Sequence, residues 1–307
     1  MQQYLRKVRV TLSGGGGGLV VNPGDATDRQ MFVGFTVDKD ISGNANTARI
    51  QIYNLSEGHR AAVGKELDNV MLEAGYIPPT GASNIGIIFK GQMRDVQHYR
   101  EGADIITEIS CGDADKALRK AVISKTFPRG TSVQTVLEEL HKQFEKEGID
   151  KGEWKGVDSL PPYQRPVSMC GSCSREMDRI GRSHGLYWSM QNEALEIIPA
   201  DGALQASVHL SSSTGLIGTP TITDNGVKFD ALLNPEIRPN RMVSIESQTL
   251  EMNAEGGSYR VSTATYTGDN ARGDFKVSAT GESLTGGKVD QGLPALTNIP
   301  IPTPRPQ

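Results

Sequence analysis

A duplicated pattern of strand, glycine turn and strand constrains the fold of this chain more than any other feature. Each copy alternates polar and apolar residues, turns at glycine, alternates again and ends in Gly-Asp. The copies span residues 91–113 and 242–269. A period of two predicts β-strands with one buried face. A chain that contains one β-unit twice can place two equivalent modules around an axis, which favours a symmetric assembly part over a catalyst.

The bulk composition excludes several classes of protein. The 307 residues suggest two or three domains, and no apolar run approaches the ~20 residues that a membrane span needs. A formal net charge of −4 argues against a dedicated nucleic-acid binder, which needs a basic surface. Residues 1–9 lack the apolar stretch of a secretory signal, so we expect synthesis in a cytoplasm. Three cysteines in a reducing compartment predict no disulfide framework.

Short strands separated by turns fill the first 110 residues. The alternating segments are 4–12, 32–37, 49–55, 70–76 and 85–89, followed by the first duplicated segment. Strands at this spacing predict a closed or nearly closed antiparallel barrel. We therefore expect residues 1–114 to form the first of two tube-like β-barrel domains.

The pattern changes to mixed α/β over residues 115–203. Thr131 and Gln134 fit a capping box, and Gly148 is a natural helix stop. Between them, apolar residues recur at helical spacing: Val133, Val136, Leu137, Leu140 and Phe144. A second helix is predicted over residues 172–184, followed by a hairpin around Gln191-Asn192. These elements predict a small insert domain.

Strands resume at 205–210, 226–233, the second duplicated segment and 275–280. They predict a second tube-like barrel over residues 204–285. Prolines recur after residue 293, and because proline lacks a backbone donor and favours polyproline geometry, we expect residues 286–307 to be an extended tail. The predicted fold class is mainly β with an α/β insert (α+β): two antiparallel barrels flank the insert.

The spacing Cys170-Gly-Ser-Cys173 is the most suggestive chemical motif. Two cysteines separated by two residues can bind zinc or exchange disulfides. A structural zinc site needs four ligands, and the chain offers only His184 and the distant Cys111 as further candidates. The papain-type nucleophile signature continues with an aromatic residue, whereas Ser174 follows here. We therefore interpret Cys170 and Cys173 as packing residues at the start of the second helix.

No other residues form a recognisable catalytic or binding set. The run Gly14–Gly18 lacks the Gly-Lys-Ser/Thr ending of a phosphate loop, so it predicts a hairpin tip, or a loop that becomes ordered against a neighbouring ring. The carboxylates Glu138, Glu139, Glu145 and Glu147 decorate a helix, and the histidines at 59, 98, 141, 184 and 209 do not cluster. We assign no catalytic, cofactor-binding or metal-binding residues and expect no enzymatic activity.

Taken in order, several segments resemble a known family. In the first third these are Phe35–Val37, Asn46–Ser56, Arg60, Leu72–Tyr76, Ile88–Gly91 and Asp104–Ile109. Later ones are Gly185–Ser189, Thr214–Pro220, Leu232–Pro235 and Tyr266–Asp269. Over residues ~30–285 the chain is similar to the baseplate hub proteins of contractile-tailed phages, the late control protein D-like family.

The resemblance implies a homotrimer in the tail baseplate of a virion. Each chain would supply two tube-like modules, so that three chains form a pseudo-six-fold ring between the hexameric tail tube and the trimeric central spike. Other baseplate proteins would be further partners, and DNA would pass through the channel without specific binding or membrane insertion. No cofactor is implied. The tail after residue 290 has no clear counterpart in the family, and we expect it to lie along a neighbouring subunit or the spike.

Two alternative functions stay open at this point. The first is a hub-associated enzyme that degrades the cell wall, although no inserted domain with paired acidic residues is visible. The second is a secreted β-rich adhesin, against which the missing signal sequence argues. A zymogram on peptidoglycan would identify the enzyme, and fractionation would separate a virion component from a surface-associated one.

Overall fold

A computed structural model describes residues 5–284 except 16, 25–28, 79–82, 249–250, 253 and 255–256. Strands account for 53% and helices for 14%, so the mainly β prediction is confirmed. The predicted extended tail lies outside the described residues. Within the described part of the chain, no helix is long and apolar enough to cross a membrane.

Seven strands and one short helix make up the first third. The strands are β1 (Leu5–Gly14), β2 (Gly17–Val21), β3 (Val33–Asp40), β4 (Thr47–Tyr53), β5 (Asn69–Ile77), β6 (Gly86–Glu101) and β7 (Asp104–Gly112); the helix is α1 (Glu57–Ala62). Gly14 lies opposite Gly17 at the end of the β1–β2 ladder, so the glycine run is at a hairpin tip, as predicted. β6 joins two stretches that the sequence separates, residues 85–89 and the first duplicated strand, because a bulge between Met93 and Asp95 breaks their common alternation.

The middle of the chain contains three helices and five strands. They are α2 (Asp115–Lys120), β8 (Val122–Phe127), α3 (Val133–Glu145), β9 (Asp150–Trp154), β10 (Val167–Ser172), α4 (Cys173–His184), β11 (Leu186–Met190) and β12 (Ala194–Pro199). The predicted second helix and the hairpin around Gln191-Asn192 are confirmed.

The start of α3 differs from the prediction by one residue. The N-cap is Ser132, whose Oγ accepts a hydrogen bond from the Thr135 amide at 3.1 Å. The Thr131 hydroxyl donates to the Pro128 carbonyl at 2.8 Å instead. The capping box at Thr131 was therefore wrong, because the preceding turn at Pro128 takes up that hydroxyl. The helix ends at Glu145, shortly before Gly148 with its φ of 90°.

Six strands follow the insert. They are β13 (Leu204–Leu210), β14 (Leu216–Thr223), β15 (Gly226–Leu232), β16 (Arg241–Ile245), β17 (Ser258–Asp269) and β18 (Phe275–Glu282). The strands predicted at 205–210, 226–233 and 275–280 are confirmed. β14 has no counterpart among them, because Gly218 and Pro220 interrupt its alternation and coincide with a register shift against β15.

Thirteen of the described strands join in one open sheet, which corrects the prediction of two closed or nearly closed barrels. The hydrogen-bonded order is β14-β15-β18-β17-β3-β4-β7-β6-β5-β1-β2, with β16 pairing β17 and β13 pairing β16. The physical reason is β3, which pairs with β4 on one edge and with β17 on the other. A strand of the first third thus takes its second neighbour from the last third, so the described strands of both regions share one sheet.

The duplicated segments are both antiparallel strand pairs, but their neighbours differ. β6 and β7 pair from Gln92–Gly112 to Glu101–Asp104. β16 and β17 pair only from Met242–Arg260 to Ser244–Ser258, and the other neighbour of β16 is the parallel strand β13. The duplication therefore extends to the strand pairs and not to the strands around them.

Two hydrophobic cores lie on either side of the junction with the insert. The first combines strands from both ends of the chain, including Val10, Ile50 and Phe89 with Val227, Tyr259 and Val277. The Phe275 ring packs edge-on against Phe35 and Tyr76, with ring centres 6.0 and 5.0 Å apart. The second core lies inside the insert, where α3 and α4 pack around Phe144, Met177 and Trp188.

Candidate assembly surface

The two cysteines of the Cys170-Gly-Ser-Cys173 motif have different environments. Cys170 is exposed on β10, whereas Cys173 is fully buried at the start of α4. Burial raises the pKa of the Cys173 thiol to about 11, so this thiol stays protonated at neutral pH. Among the described residues, no group of three or more His, Cys, Asp or Glu side chains is placed to hold a metal ion. His184 instead packs edge-on against Tyr163, with ring centres 5.7 Å apart.

One face of the central sheet is an organised polar surface, which we call the polar face. Strand alternation creates it, because every second residue of these strands points away from the first hydrophobic core. It comprises Lys228 and Asp230 of β15; Lys276, Ser278 and Thr280 of β18; Thr263, Thr265, Thr267 and Asp269 of β17; Thr36 and Asp38 of β3; Thr47, Arg49 and Gln51 of β4; Glu108 and Ser110 of β7; and Asp95 and Gln97 of β6.

The polar face is continuous across the junction between β17 and β3. Thr265 lies opposite Ser278 on one side and Asp38 on the other, and its hydroxyl donates to the Asp38 carboxylate at 2.7 Å. Threonines occupy neighbouring positions on both strands, since Thr267 lies opposite Thr36. Short hydroxyl and carboxylate side chains therefore cover the strands at which the two ends of the chain meet.

Carboxylates outnumber bases on the polar face, and two of its three bases, Lys276 and Arg49, lie beside carboxylates. Lys276 lies 3.3 Å from Asp230 and 3.4 Å from Asp274, and these carboxylates raise its pKa. Arg49, whose side chain is 67% exposed, lies 3.6 Å from Glu108. Exposed ion pairs of this kind add little to stability, so their main effect is on the potential of the surface.

A polar cluster joins the first third of the chain to the insert at the β11–β12 turn. Asp113, which is completely buried, accepts hydrogen bonds from the backbone amides of Asn192 and Glu193, both at 2.7 Å. Both turn residues have positive φ, 57° and 61°, so the carboxylate stabilises an unfavourable backbone conformation. Asn46 donates to the same carboxylate at 3.2 Å and to the Met190 carbonyl at 2.7 Å.

Lys39 completes this cluster from β3. Its side chain is buried, and its Nζ donates to Asn192 Oδ1 at 2.5 Å. Burial lowers the pKa of Lys39 to about 8, although the nearby Asp113 opposes the shift. Burial likewise raises the pKa of Asp113, and Lys39 and the hydrogen bonds to the carboxylate oppose that shift.

A second polar cluster joins the insert to the last third of the chain. The buried Arg241 of β16 donates to Glu196 at 3.1 Å and to Glu153 at 2.9 Å. Asn240 donates to the other oxygen of Glu196 at 2.7 Å and to the Ser189 hydroxyl at 3.0 Å. The insert is thus attached at both of its chain connections by buried hydrogen bonds, which fix its position relative to the sheet.

The sequence shows two parts of the first cluster but gives no indication that they are in contact. These parts are the terminal Gly-Asp of the first duplicated segment and the Gln191-Asn192 turn. The available signal was only the position of Asp113 directly after a predicted strand, because a carboxylate buried there needs backbone donors from another element. Lys39 gave no signal, since a lysine at an alternating position near a strand end is normally exposed.

Comparisons with known proteins agree in fold over most of the chain. The structure is similar to the 43 kDa tail protein of prophage MuSo2 from Shewanella oneidensis, with a TM-score of 0.61, 11% identity, and coverage of 91% of this chain and 98% of that one. It is also similar to a tail protein from Neisseria meningitidis MC58, with a TM-score of 0.56, 11% identity and coverage of 91% and 97%.

A third similar structure is the Escherichia coli c3393 protein, described as a type VI secretion component that resembles the T4 tail proteins gp27 and gp5. Its TM-score is 0.56 at 10% identity, covering 91% of this chain and 77% of that one. At such identities these likenesses establish the fold alone. No curated protein matches the sequence. The family model described as baseplate hub gp41 matches residues 7–281. Because this match spans most of the sequence, the chain belongs to the baseplate hub gp41 family.

Proposed function

We propose that this hub protein is a non-catalytic homotrimer that forms a pseudo-six-fold ring between a hexameric tail tube and a trimeric central spike. Each chain contributes strands from both of its ends to the inner wall of the ring, and the polar face lines a channel for DNA. The protein then works in the tail baseplate of a virion, with the tube ring, the spike and other baseplate proteins as partners.

The continuity of the polar face across the β17–β3 pair is the observation that supports this proposal. A three-fold object meets a six-fold ring when each protomer offers two comparable patches at fixed separation. The described strands of residues 1–114 would supply one patch and those of residues 204–285 the other, and because they share one sheet and one core the two patches are held at a fixed separation. The segments 1–114, 115–203 and 204–285 are then structural units within one connected framework.

The charges of the polar face support passage of DNA without binding. Lysine and arginine side chains bind DNA by displacing counterions from phosphates. Here Lys276 and Arg49 lie beside carboxylates, and further carboxylates such as Asp38 and Asp95 add negative charge. A wall of this kind repels the phosphate backbone over about 8 Å at physiological salt.

Cryo-electron microscopy of assembled tails tests the symmetry. We expect three copies of the chain, a three-fold ring overall and a nearly six-fold inner wall. In parallel, Thr265→Cys in a Cys170→Ser background should react with small and bulky maleimides in the free chain, but only with the small one in the assembled tail. Six copies per tail, or equal access of the bulky reagent in the tail, would contradict the proposal.

Charge reversal on the polar face tests whether this surface lines the DNA channel without binding DNA. Replacing Asp38, Asp230 and Asp269 with lysine should create salt-sensitive DNA binding and slow DNA ejection from particles that still assemble. A matched control replaces three acidic residues of the insert surface, Glu138, Glu139 and Glu145, with lysine. Equal DNA binding by both variants would assign the effect to net charge and refute a specific role of the polar face.

A further inference from the structure

A shallow, mostly apolar groove lies beside the point at which the described chain ends. Its volume is about 700 Å³, and its apolar lining comes from Ala203 and Leu204 of the connection into β13, Met242 of β16, and Leu284. Ala203 and Leu204 are themselves buried, whereas Met242 and Leu284 are half-exposed. The open part of the groove is therefore a half-exposed apolar strip.

The floor of the groove is fixed in place by two basic side chains. The fully buried Arg260 donates to the carbonyls of Ala200 at 2.9 Å and Gly202 at 2.7 Å, and Lys155 donates to the Ala203 carbonyl at 2.7 Å. These bonds satisfy backbone acceptors of the segment that leads into β13. A ligand of this groove would thus meet a preformed surface, which reduces the entropy cost of binding.

We propose that Leu293–Pro304 of the same chain binds in this groove in the free protein. The chain leaves from the groove itself, because Leu284 forms part of its wall and residues 285–307 follow. The eight residues 285–292 include three glycines and, at up to about 3.5 Å per residue, can span roughly 28 Å, enough to leave the surface and return. Such a short connection gives an effective concentration in the millimolar range.

The sequence of this segment matches the chemistry of the groove. Leu293–Pro304 contains no charged residue and combines four prolines with the apolar residues Leu293, Leu296, Ile299 and Ile301. Proline has no backbone donor, so such a segment can cover an apolar surface without a hydrogen-bonded ladder. This site differs from the neighbouring subunit or spike that sequence analysis predicted for the tail, and it does not depend on the proposed ring.

Disulfide trapping in the full chain tests the proposal. Ser207, which lines the groove opposite Met242 in the β13–β16 ladder, is replaced with cysteine together with Leu296→Cys, in a Cys170→Ser background. The control pair combines Leu296→Cys with Val122→Cys, since Val122 is 62% exposed on β8 of the insert. Under mild oxidation we expect the groove pair to close within one chain at least tenfold faster than the control, at a rate independent of protein concentration.

Other outcomes of trapping would overturn the proposal. Equal rates for the two pairs would mean that the segment samples the surface without binding the groove. Disulfides formed mainly between chains would assign the groove to another copy. As a further check, Met242→Glu should reduce trapping of the groove pair several-fold, whereas Ile217→Glu on β14 should leave it unchanged; equal effects of these two substitutions would also contradict a groove-specific contact.

Discussion

Two aspartates end the two duplicated segments, and the structure uses them in different ways. Asp113 is completely buried and accepts hydrogen bonds from the Asn192 and Glu193 amides of the insert. Asp269 is half-exposed and accepts from the amide of Ala271, at 2.7 Å, and from that of Arg272, two and three residues further along the chain. One aspartate thus joins distant elements, and the other caps its own turn.

The glycines before these aspartates show what the two sites share. A side chain at Gly112 would collide with the Asp115 carboxylate, and one at Gly268 would come within 2.5 Å of the Phe275 ring. A neighbouring side chain thus crosses both strand ends, although the Asp115 carboxylate at Gly112 is a flexible end that can shift, whereas the Phe275 ring at Gly268 is fixed in the core. One short motif thus supplies a local geometry, and the element packed over it decides between a tertiary contact and a turn cap.

The largest effect is expected for Asp113→Ala. The substitution leaves two half-buried amides of a positive-φ turn without an acceptor and removes one of the acceptors of Asn46, so the free energy of unfolding should fall by about 4 kcal/mol. Urea denaturation measures this loss, and hydrogen exchange should show faster exchange of the Asn192 and Glu193 amides. A loss under about 1 kcal/mol with unchanged exchange would remove the distinction between the two aspartates.

A pH-dependent effect is expected for Lys39. Its pKa is about 8 in the folded chain against an ordinary 10.5, so between these pH values the unfolded chain binds more protons and stability rises with pH. Lys39→Met abolishes this rise. Between pH 8 and pH 10.5, the free energy of unfolding should therefore increase by up to about 3 kcal/mol more in the wild type than in the variant.

The same experiment needs a matched lysine as control. The charged groups acting on Lys39 are Asp113, Arg238 and Glu196, all of which are kept in the variant. Lys228→Met removes an exposed lysine of the polar face and should follow the wild-type pH dependence. If both variants lose stability relative to the wild type in parallel across this range, the burial of Lys39 in the junction is not the cause of the pH dependence.

The smallest effect is expected for Asp269→Ala, at about 1 kcal/mol. The carboxylate caps an exposed turn, and its ion pair with Arg6 is long at 3.9 Å. Arg6 also donates to the Arg272 carbonyl at 3.0 Å and the Gly273 carbonyl at 2.7 Å, so the turn keeps a partner in the variant. A loss as large as that of Asp113→Ala in the same urea assay would mean that Asp269 also stabilises a tertiary junction.

The sequence predicted most strands and both long helices, because period-two and period-3.6 patterns depend on local burial. It also predicted the polar turn of the insert hairpin. It did not predict β14, since Gly218 and Pro220 break the alternation there, nor the N-cap of α3, since Ser132 and Thr131 are equally suitable cap residues and only the turn at Pro128 distinguishes them.

Local patterns in the sequence determined most of the strands, their apolar faces and the positions of the glycine turns. Tertiary structure decided which strand edges pair, because a β-strand offers hydrogen bonds on both edges and its own residues do not specify the partner. The pairing of β3 with β17 converted two expected barrels into one open sheet. The same packing buried Lys39 and Asp113, two residues whose charges alone would place them at the surface.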